Sequence, residues 1–340
     1  MKKKVCLLLA AVLLLTGCAA PQSVRTDNRY EASFLGLFDT VTSMVGFAES
    51  EAAFRQTAQE IHDELERYHQ LFDIYTEYPG LTNLKTVNDR AGAEPVPVGP
   101  EILELLQFCK EMEQASGGVV NVAMGSVLQL WHIARTDGIN NPAAAALPDP
   151  AALLEAAAHT DLDKVILDEQ AGTVYFADPD LKLDVGAVAK GYAVEQVCRK
   201  APAGILLSVG GNVCSTGPKP DGSSWVVGLQ DPEGNGNLHT IYAGQTAVVT
   251  SGDYQRYYTV DGVRYHHIID PETGMPGTKW QAVSVVCRDS AVADALSTAL
   301  FLLDRTAGQA LLDQFDAQAM WLDPDGNEFF SPGFSELLRT

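Results

Sequence analysis

The chain is 340 residues long and carries 23 Lys and Arg against 44 Asp and Glu, a formal net charge of −21. With 46% hydrophobic and 20% charged residues it can bury a sizeable core, in one large domain or two ordinary ones, and is neither a disordered polymer nor a coiled coil. No run of Lys or Arg occurs beyond the first four residues, so the acidic surface repels phosphate backbones and nucleic acid is not expected as a partner.

Lys2, Lys3 and Lys4 precede the apolar run Val5 to Leu15, which is too short to span as a folded membrane helix, and small residues follow. That order reads as a secretory signal over residues 1–17. Leu15-Thr16-Gly17-Cys18 is similar to a bacterial lipobox, which implies cleavage before Cys18, lipidation of its thiol and an extracytoplasmic, membrane-anchored protein. An ordinary signal with a coincidental Cys is the alternative. Pro21 to Asn28 is polar and reads as a tether.

Phe34 to Phe47 is rich in β-branched and aromatic residues and predicts a first strand or hairpin arm. Ala52 to Leu71 places Phe54, Ala58, Ile61, Leu65 and Tyr68 at helical spacing and predicts an amphipathic helix. Tyr78 to Gly99, punctuated by Pro and Gly, is expected to be mostly loop. A second helix is expected from Pro100 to about Ala115, ended by Gly117-Gly118. Asn140 to Asp149 is flexible in composition, and Pro150 to His159 predicts a third helix. Short strands are expected at Val165–Leu167, Thr173–Phe176 and Lys182–Val185, then at Ile205–Val209, Trp225–Leu229, His239–Tyr242, Ala247–Thr250, Tyr257–Val260 and Val283–Val286. Helices Ser290–Leu303 and Thr306–Phe315 follow, then a strand Ala319–Leu322 and a turn at Asp325-Gly326. Strands in runs and helices in blocks give an α+β class with a mainly antiparallel sheet, without internal repeats.

Five segments carry chemical possibilities. In Val292 to Leu303 nearly every position is apolar, yet Asp294, Ser297 and Thr298 share one helical face and offer the hard oxygens that Mg²⁺ or Ca²⁺ takes; the alternative is a cap with hydroxyls bonded backward. Leu183 to Tyr192 runs from a short strand into a glycine-punctuated helix start, where backbone amides and Lys190 suit a phosphate, or form only a tight turn beside a solvated Lys. Thr250 to Tyr258 and Arg264 to Pro276 form a hairpin about Asp261-Gly262, dense in Tyr, Arg, His and Asp. It is a substrate-facing wall or a structural hairpin, and on a strand His266 and His267 point to opposite faces. Gly210-Gly211 and the run Gly117 to Ser126 allow close backbone approach to a ligand, or serve as a bulge and as packing. The four cysteines of the globular part, Cys109, Cys198, Cys214 and Cys287, show no CxxC and no zinc-ligand spacing and read as buried free thiols, although an exported location permits disulfides.

In order along the chain, LFDT, GGVVNVAMGSVLQLWH, LDVGAVAKGY, LSVGGNV, TSGDYQRYY with RYHHIIDPETG, and VADALSTAL together resemble the ApbE family of FAD:protein FMN transferases over residues 34–337. The implied division is a lipoprotein signal at 1–17, a tether at 18–33 and one flavin transferase domain at 34–337. The resemblance implies FAD and Mg²⁺ binding and transfer of the FMN half of FAD to a Thr or Ser hydroxyl of an acceptor protein, with AMP released. It implies Asp294 and Thr298, with Ser297 accessory and the Ala187 carbonyl, as metal ligands. Phe38, Tyr75, Val119, Val120, Asn121, Asp184, Lys190 and Ile269 are implied as flavin-nucleotide contacts, and His267 as the base. Two positions depart from the pattern: Phe38-Asp39-Thr40 stands where many relatives have Met-Gly-Thr, and Asn121 where many have Asp. An FAD pyrophosphatase and a non-catalytic flavin-binding lipoprotein are the other two readings.

Overall fold

The computed structural model describes residues 28–339, so the signal segment and Cys18 lie outside the described residues. In chain order the elements are β1 (Arg29–Leu35), β2 (Val41–Phe47), α1 (Glu51–Phe72), α2 (Leu84–Asp89), β3 (Val96–Pro97), α3 (Pro100–Ser116), α4 (Gly125–Asn140) and α5 (Pro150–Ala157). Next come β4 (Val165–Asp168), β5 (Thr173–Phe176), α6 (Ala189–Lys200), β6 (Ile205–Val209), β7 (Asn212–Ser215), β8 (Trp225–Gln230), β9 (Asn237–Ala243) and β10 (Ala247–Gly252). The chain ends with β11 (Tyr257–Val260), β12 (Val263–His266), β13 (Ala282–Cys287), α7 (Ser290–Leu302), α8 (Arg305–Leu312), β14 (Ala317–Leu322) and β15 (Glu328–Phe330).

Eight strands form one antiparallel sheet in the order β1-β2-β6-β7-β10-β13-β14-β15. Because side chains alternate across a strand, Val249, Val283, Val285 and Trp321 face one layer, where α1, α6 and α7 pack. Val248, Val286 and Met320 face the other, under the β8–β9 hairpin with Trp225 and Phe334. A third, smaller apolar cluster joins α4 to the β11–β12 hairpin through Met124, Val127, Trp131, Tyr258 and Ile269. The class is α+β, as the strand and helix runs predict.

The amphipathic helix is α1, with all five predicted apolar positions buried and Ser50 Oγ capping it through Ala53 N–H at 3.2 Å. Gly117 ends α3 in the left-handed region at φ 65°. All four cysteines are free and buried.

Several expectations need correction. β1 begins at Arg29, inside the 18–33 stretch read as a tether, because those polar residues pair with β2 as an edge strand. The loop from Tyr78 to Gly99 contains α2, nucleated by Asn83, whose Oδ1 accepts Thr86 N–H at 3.1 Å. Lys182–Val185 is not a strand: Asn88 takes both the N–H and the C=O of Leu183, at 2.8 and 3.0 Å, where a neighbouring strand would stand. Gly210 and Gly211, at φ 56° and 87°, form the two-residue turn joining β6 to β7 and not a bulge. The missed α4 buries few residues and leaves Ile133 and Ile139 exposed, which erases the apolar period that signals a helix.

Candidate active site

Two helices make the rigid part of the site. α7 is apolar on almost every side, and Asp289 Oδ1 caps it through Ala291 and Val292 N–H. Asp294, one turn in, is 4% exposed and cannot relax toward water. Its Oδ2 accepts the Gly191 N–H at 2.7 Å, and its Oδ1 lies 3.7 Å from Lys190 Nζ. Only glycine fits at 191, since a Cβ there would stand 2.4 Å from Asp294 Cβ and 2.4 Å from the Ser290 carbonyl. The Asn212 Oδ1 accepts from Ser290 Oγ at 2.8 Å, while its buried Nδ2 lies beside Asp294 in the seam without a partner at hydrogen-bond geometry. Burial pushes the Asp294 carboxyl above the usual carboxylate range, against the pull of Lys190.

The donor set here suits a hard cation. Gly191 N–H would reach back to the Ala187 carbonyl in a regular helix, but it is taken by Asp294, and the Ala187 carbonyl accepts no hydrogen bond among the described residues. Thr298, one turn beyond Asp294 on the same face, has a hydroxyl that makes no hydrogen bond among the described residues. Ser297 differs: it is fully buried, donates to the Asp294 carbonyl at 2.9 Å and bonds Ser251 Oγ at 2.8 Å, so its hydroxyl is committed to packing α7 on β10. Asp294 Oδ1, Thr298 Oγ1 and the Ala187 carbonyl remain as oxygens free to hold Mg²⁺. Lys190 is the second residue of α6, not a turn inside it.

The other wall is more open. Asp184 holds the approach to α6 by accepting Gly186 N–H at 2.9 Å and donating its own N–H to the Val122 carbonyl at 2.8 Å, which ties it to the Val119–Asn121 loop. Asn121 ties that loop to the segment after α5, donating to the Thr160 carbonyl and accepting from Ala123 N–H, each at 2.8 Å. Val120 is buried and Ile269 sits in the α4 cluster, whereas Val119 is half-buried and Tyr75 exposed. Tyr75 packs 5.4 Å from the His132 ring, and Arg135 donates to His132 Nδ1 at 3.0 Å. Burial pushes the Asp184 carboxyl up, opposed by His132, Arg256 and Arg135 nearby. The sequence does not single out His132, Arg135 or Arg256 as site residues, although His132 ends the GGVVNVAMGSVLQLWH string and Arg256 lies in TSGDYQRYY.

The two adjacent histidines do turn apart. His266 is buried edge-on to Phe301, its Nε2 donates to the Gly277 carbonyl at 2.7 Å, and its Nδ1 accepts Ile268 N–H at 3.2 Å. His267 lies past the end of β12, with a buried Nδ1 that has no partner and with Arg256, Lys190 and Arg135 close enough to act on it. Burial first, and those positive charges next, push its pKa down to about 3.

Phe38 and Asp39 occupy the left-handed region at φ 51° and 54°, a strained turn between β1 and β2. His69 Nδ1 accepts the Phe38 N–H at 3.2 Å, and Thr40 packs where a Cβ on Gly210 would stand 2.5 Å from its Oγ1. Asp39 thus takes the backbone conformation for which glycine is best suited, in the position where the Met-Gly-Thr pattern has Gly.

The model of the ApbE family matches residues 38–321. A Treponema pallidum protein named FAD:protein FMN transferase is 34% identical over 312 residues, 84% of each chain, and one of the same name from Klebsiella pneumoniae is 31% identical over 76% of this chain and 78% of its own. The crystal structure of the ApbE protein from Thermotoga maritima superposes with a TM-score of 0.82 at 30% identity, covering 92% of this chain and all of that one. The flavin transferase ApbE from Vibrio cholerae shares the fold, with a TM-score of 0.76 at 23% identity over 91% of this chain and 100% of its own. An α+β fold built on one large antiparallel sheet, with α6 and α7 packed on it, thus belongs to a chain that is a member of the ApbE family.

Proposed function

We propose that the protein is an FAD:protein FMN transferase that moves the FMN half of FAD onto a Thr or Ser hydroxyl of an acceptor protein and releases AMP. The observation that carries this reading is a set of free hard oxygens on Asp294, Thr298 and Ala187 beside Lys190, His267 and two unpaired arginines, on a chain of net charge −21. Such a surface gathers positive charge only where it meets an anion. Bound Mg²⁺ would neutralise the diphosphate and the charge that develops on the leaving phosphate. Lys190 adds a full positive charge next to that position. The acceptor oxygen attacks the phosphorus on the riboflavin side, the P–O bond to AMP breaks, and AMP leaves with the bridging oxygen. His267 Nε2, the ring nitrogen not enclosed, takes the hydroxyl proton. The resting ring is neutral, as a base must be, and the negative charge of the bound diphosphate raises its affinity for that proton.

The lipobox supports an anchor on the extracytoplasmic face of the membrane through a lipid on Cys18. No helix among the described residues is long and apolar enough to cross a membrane. A mature N-terminus other than a lipidated Cys18, read by mass spectrometry, contradicts the anchor. The catalytic reading is tested by incubation with FAD, Mg²⁺ and an acceptor carrying a candidate Thr or Ser. A covalent gain of one FMN moiety on the acceptor with stoichiometric AMP supports it, whereas free FMN with AMP and no adduct identifies a pyrophosphatase, and unchanged FAD a binding protein.

A further inference from the structure

Among the described residues Arg135 and Arg256, like Arg305 and Arg339, have no carboxylate within 4.0 Å, unlike the remaining arginines. Those are Arg29, Arg55, Arg67, Arg90, Arg199, Arg264 and Arg288, each with a carboxylate in that range. Arg135 and Arg256 lack one although acidic side chains outnumber basic ones by almost two to one. Arg135 makes a single polar contact, donating to His132 Nδ1 at 3.0 Å, which leaves the rest of its guanidinium fork open. Arg256 is exposed and makes no hydrogen bond among the described residues.

Packing brings the two together. Gly138 lets α4 lie directly on β11, since a Cβ at 138 would stand 2.6 Å from Tyr258 Cδ2. Arg135 precedes Gly138 by one turn and Arg256 precedes Tyr258 by two residues, so both lie within a few residues of this contact. The Trp131 Nε1 bond to the Gly274 carbonyl, 2.8 Å, fixes α4 against the loop that follows His267. Burial first, and the positive charge of Arg256 after it, lower the pKa values of Arg135 and His132, which places Arg256 near enough to act on both.

We propose that Arg135 and Arg256 form a paired guanidinium clamp for a phosphate of the bound dinucleotide, and so determine specificity for FAD over unphosphorylated flavins. This rests on the flavin-transferase reading of the site. The Asp184 carboxylate acts on both guanidinium groups but lies beyond 4.0 Å of either, so it offsets their mutual repulsion without occupying their forks, and a phosphate relieves the repulsion while accepting the bidentate bonds that those forks offer. The Tyr75–His132 pair beside them supplies an aromatic surface for a ring attached to that phosphate.

The test measures FAD and riboflavin binding by flavin fluorescence, with Mg²⁺ present and no acceptor, for the wild type, Arg135→Gln, Arg256→Gln and Arg256→Lys. Each Gln variant is expected to bind FAD about ten- to a hundredfold more weakly, the range for a lost charged hydrogen bond, and riboflavin unchanged. Arg256→Lys should recover part of the loss, because it restores charge without the fork. Unchanged FAD affinity in both Gln variants, or equal losses for FAD and riboflavin, overturns the clamp. Full FAD affinity with weakened acceptor binding would also overturn it, by assigning the arginines to an acidic group of the acceptor. If the wild type binds neither FAD nor riboflavin, the flavin reading itself falls; if it binds FAD and the variants match it, only the clamp does.

Discussion

The seam between α6 and α7 and the mouth formed by α4, the β11–β12 hairpin and the Phe38–Asp39 turn solve opposite problems. In the seam one buried carboxylate is fixed by the Gly191 amide, with no room for even a methyl group at residue 191. In the mouth, Arg135 and Arg256 have no carboxylate within 4.0 Å and the His267 Nδ1 no hydrogen bond among the described residues, and two residues sit in a strained left-handed conformation. The seam is complete apart from the Asn212 Nδ2 and the oxygens that face a cation. The mouth is incomplete until an anion arrives. Preorganised charge at fixed positions stabilises a developing charge, whereas unpaired charge at an opening selects what may enter.

Substitutions can break this division from either side. The largest effect is expected at His267: His267→Ala should slow single-turnover transfer by roughly 10²–10⁴-fold, with FAD affinity little changed. His266→Ala serves as its contrast, since that ring bonds Gly277 and Ile268 and its loss should appear in thermal stability and much less in the transfer rate. Asp294→Asn keeps an acceptor for Gly191 N–H but removes the negative charge; turnover should fall at least tens-fold and lose its response to Mg²⁺ titration. Gly191→Ala attacks the seam by volume alone and should cost about 1–3 kcal/mol in denaturant unfolding, with weakened metal dependence as the carboxylate shifts. The smallest effect is at the mouth: Asp39→Gly should change stability by about 1 kcal/mol or less, toward greater stability, because glycine adopts the left-handed conformation without strain. A destabilised Asp39→Gly protein would mean that the carboxylate, and not the backbone, holds the turn.

What the sequence disclosed follows the same division. The amphipathic α1, the Gly-ended α3 and the apolar α7 carry their structure in local periodicity and caps, and their ends agree with the pattern to within a residue or two. The placement of Asp294 on a buried helix was legible for the same reason. The mouth was less so, because its features arise from contacts distant in the chain. Asn88 replaces a strand partner for Leu183 across 95 positions, and Gly138 seats α4 on Tyr258. Neither leaves a period in the sequence. Ser297 shows the limit of spacing arguments, since i+3 places it on the Asp294 face while Ser251 of β10 claims its hydroxyl.

The most direct test of the account is the pH dependence of FMN transfer from about pH 5 to 9, comparing kcat/KM with kcat at saturating FAD. Burial and neighbouring cations hold the His267 pKa at about 3 in the free protein, so its imidazole is neutral over that whole range and kcat/KM should show no acid limb from this group. Bound diphosphate brings negative charge to the same cations and raises that pKa, so any acid limb of kcat should lie at higher pH than that of kcat/KM, and should vanish in His267→Ala with the residual rate. An acid limb of kcat/KM near pH 6.5 in the wild type that persists in His267→Ala would contradict the account, by placing the essential base elsewhere.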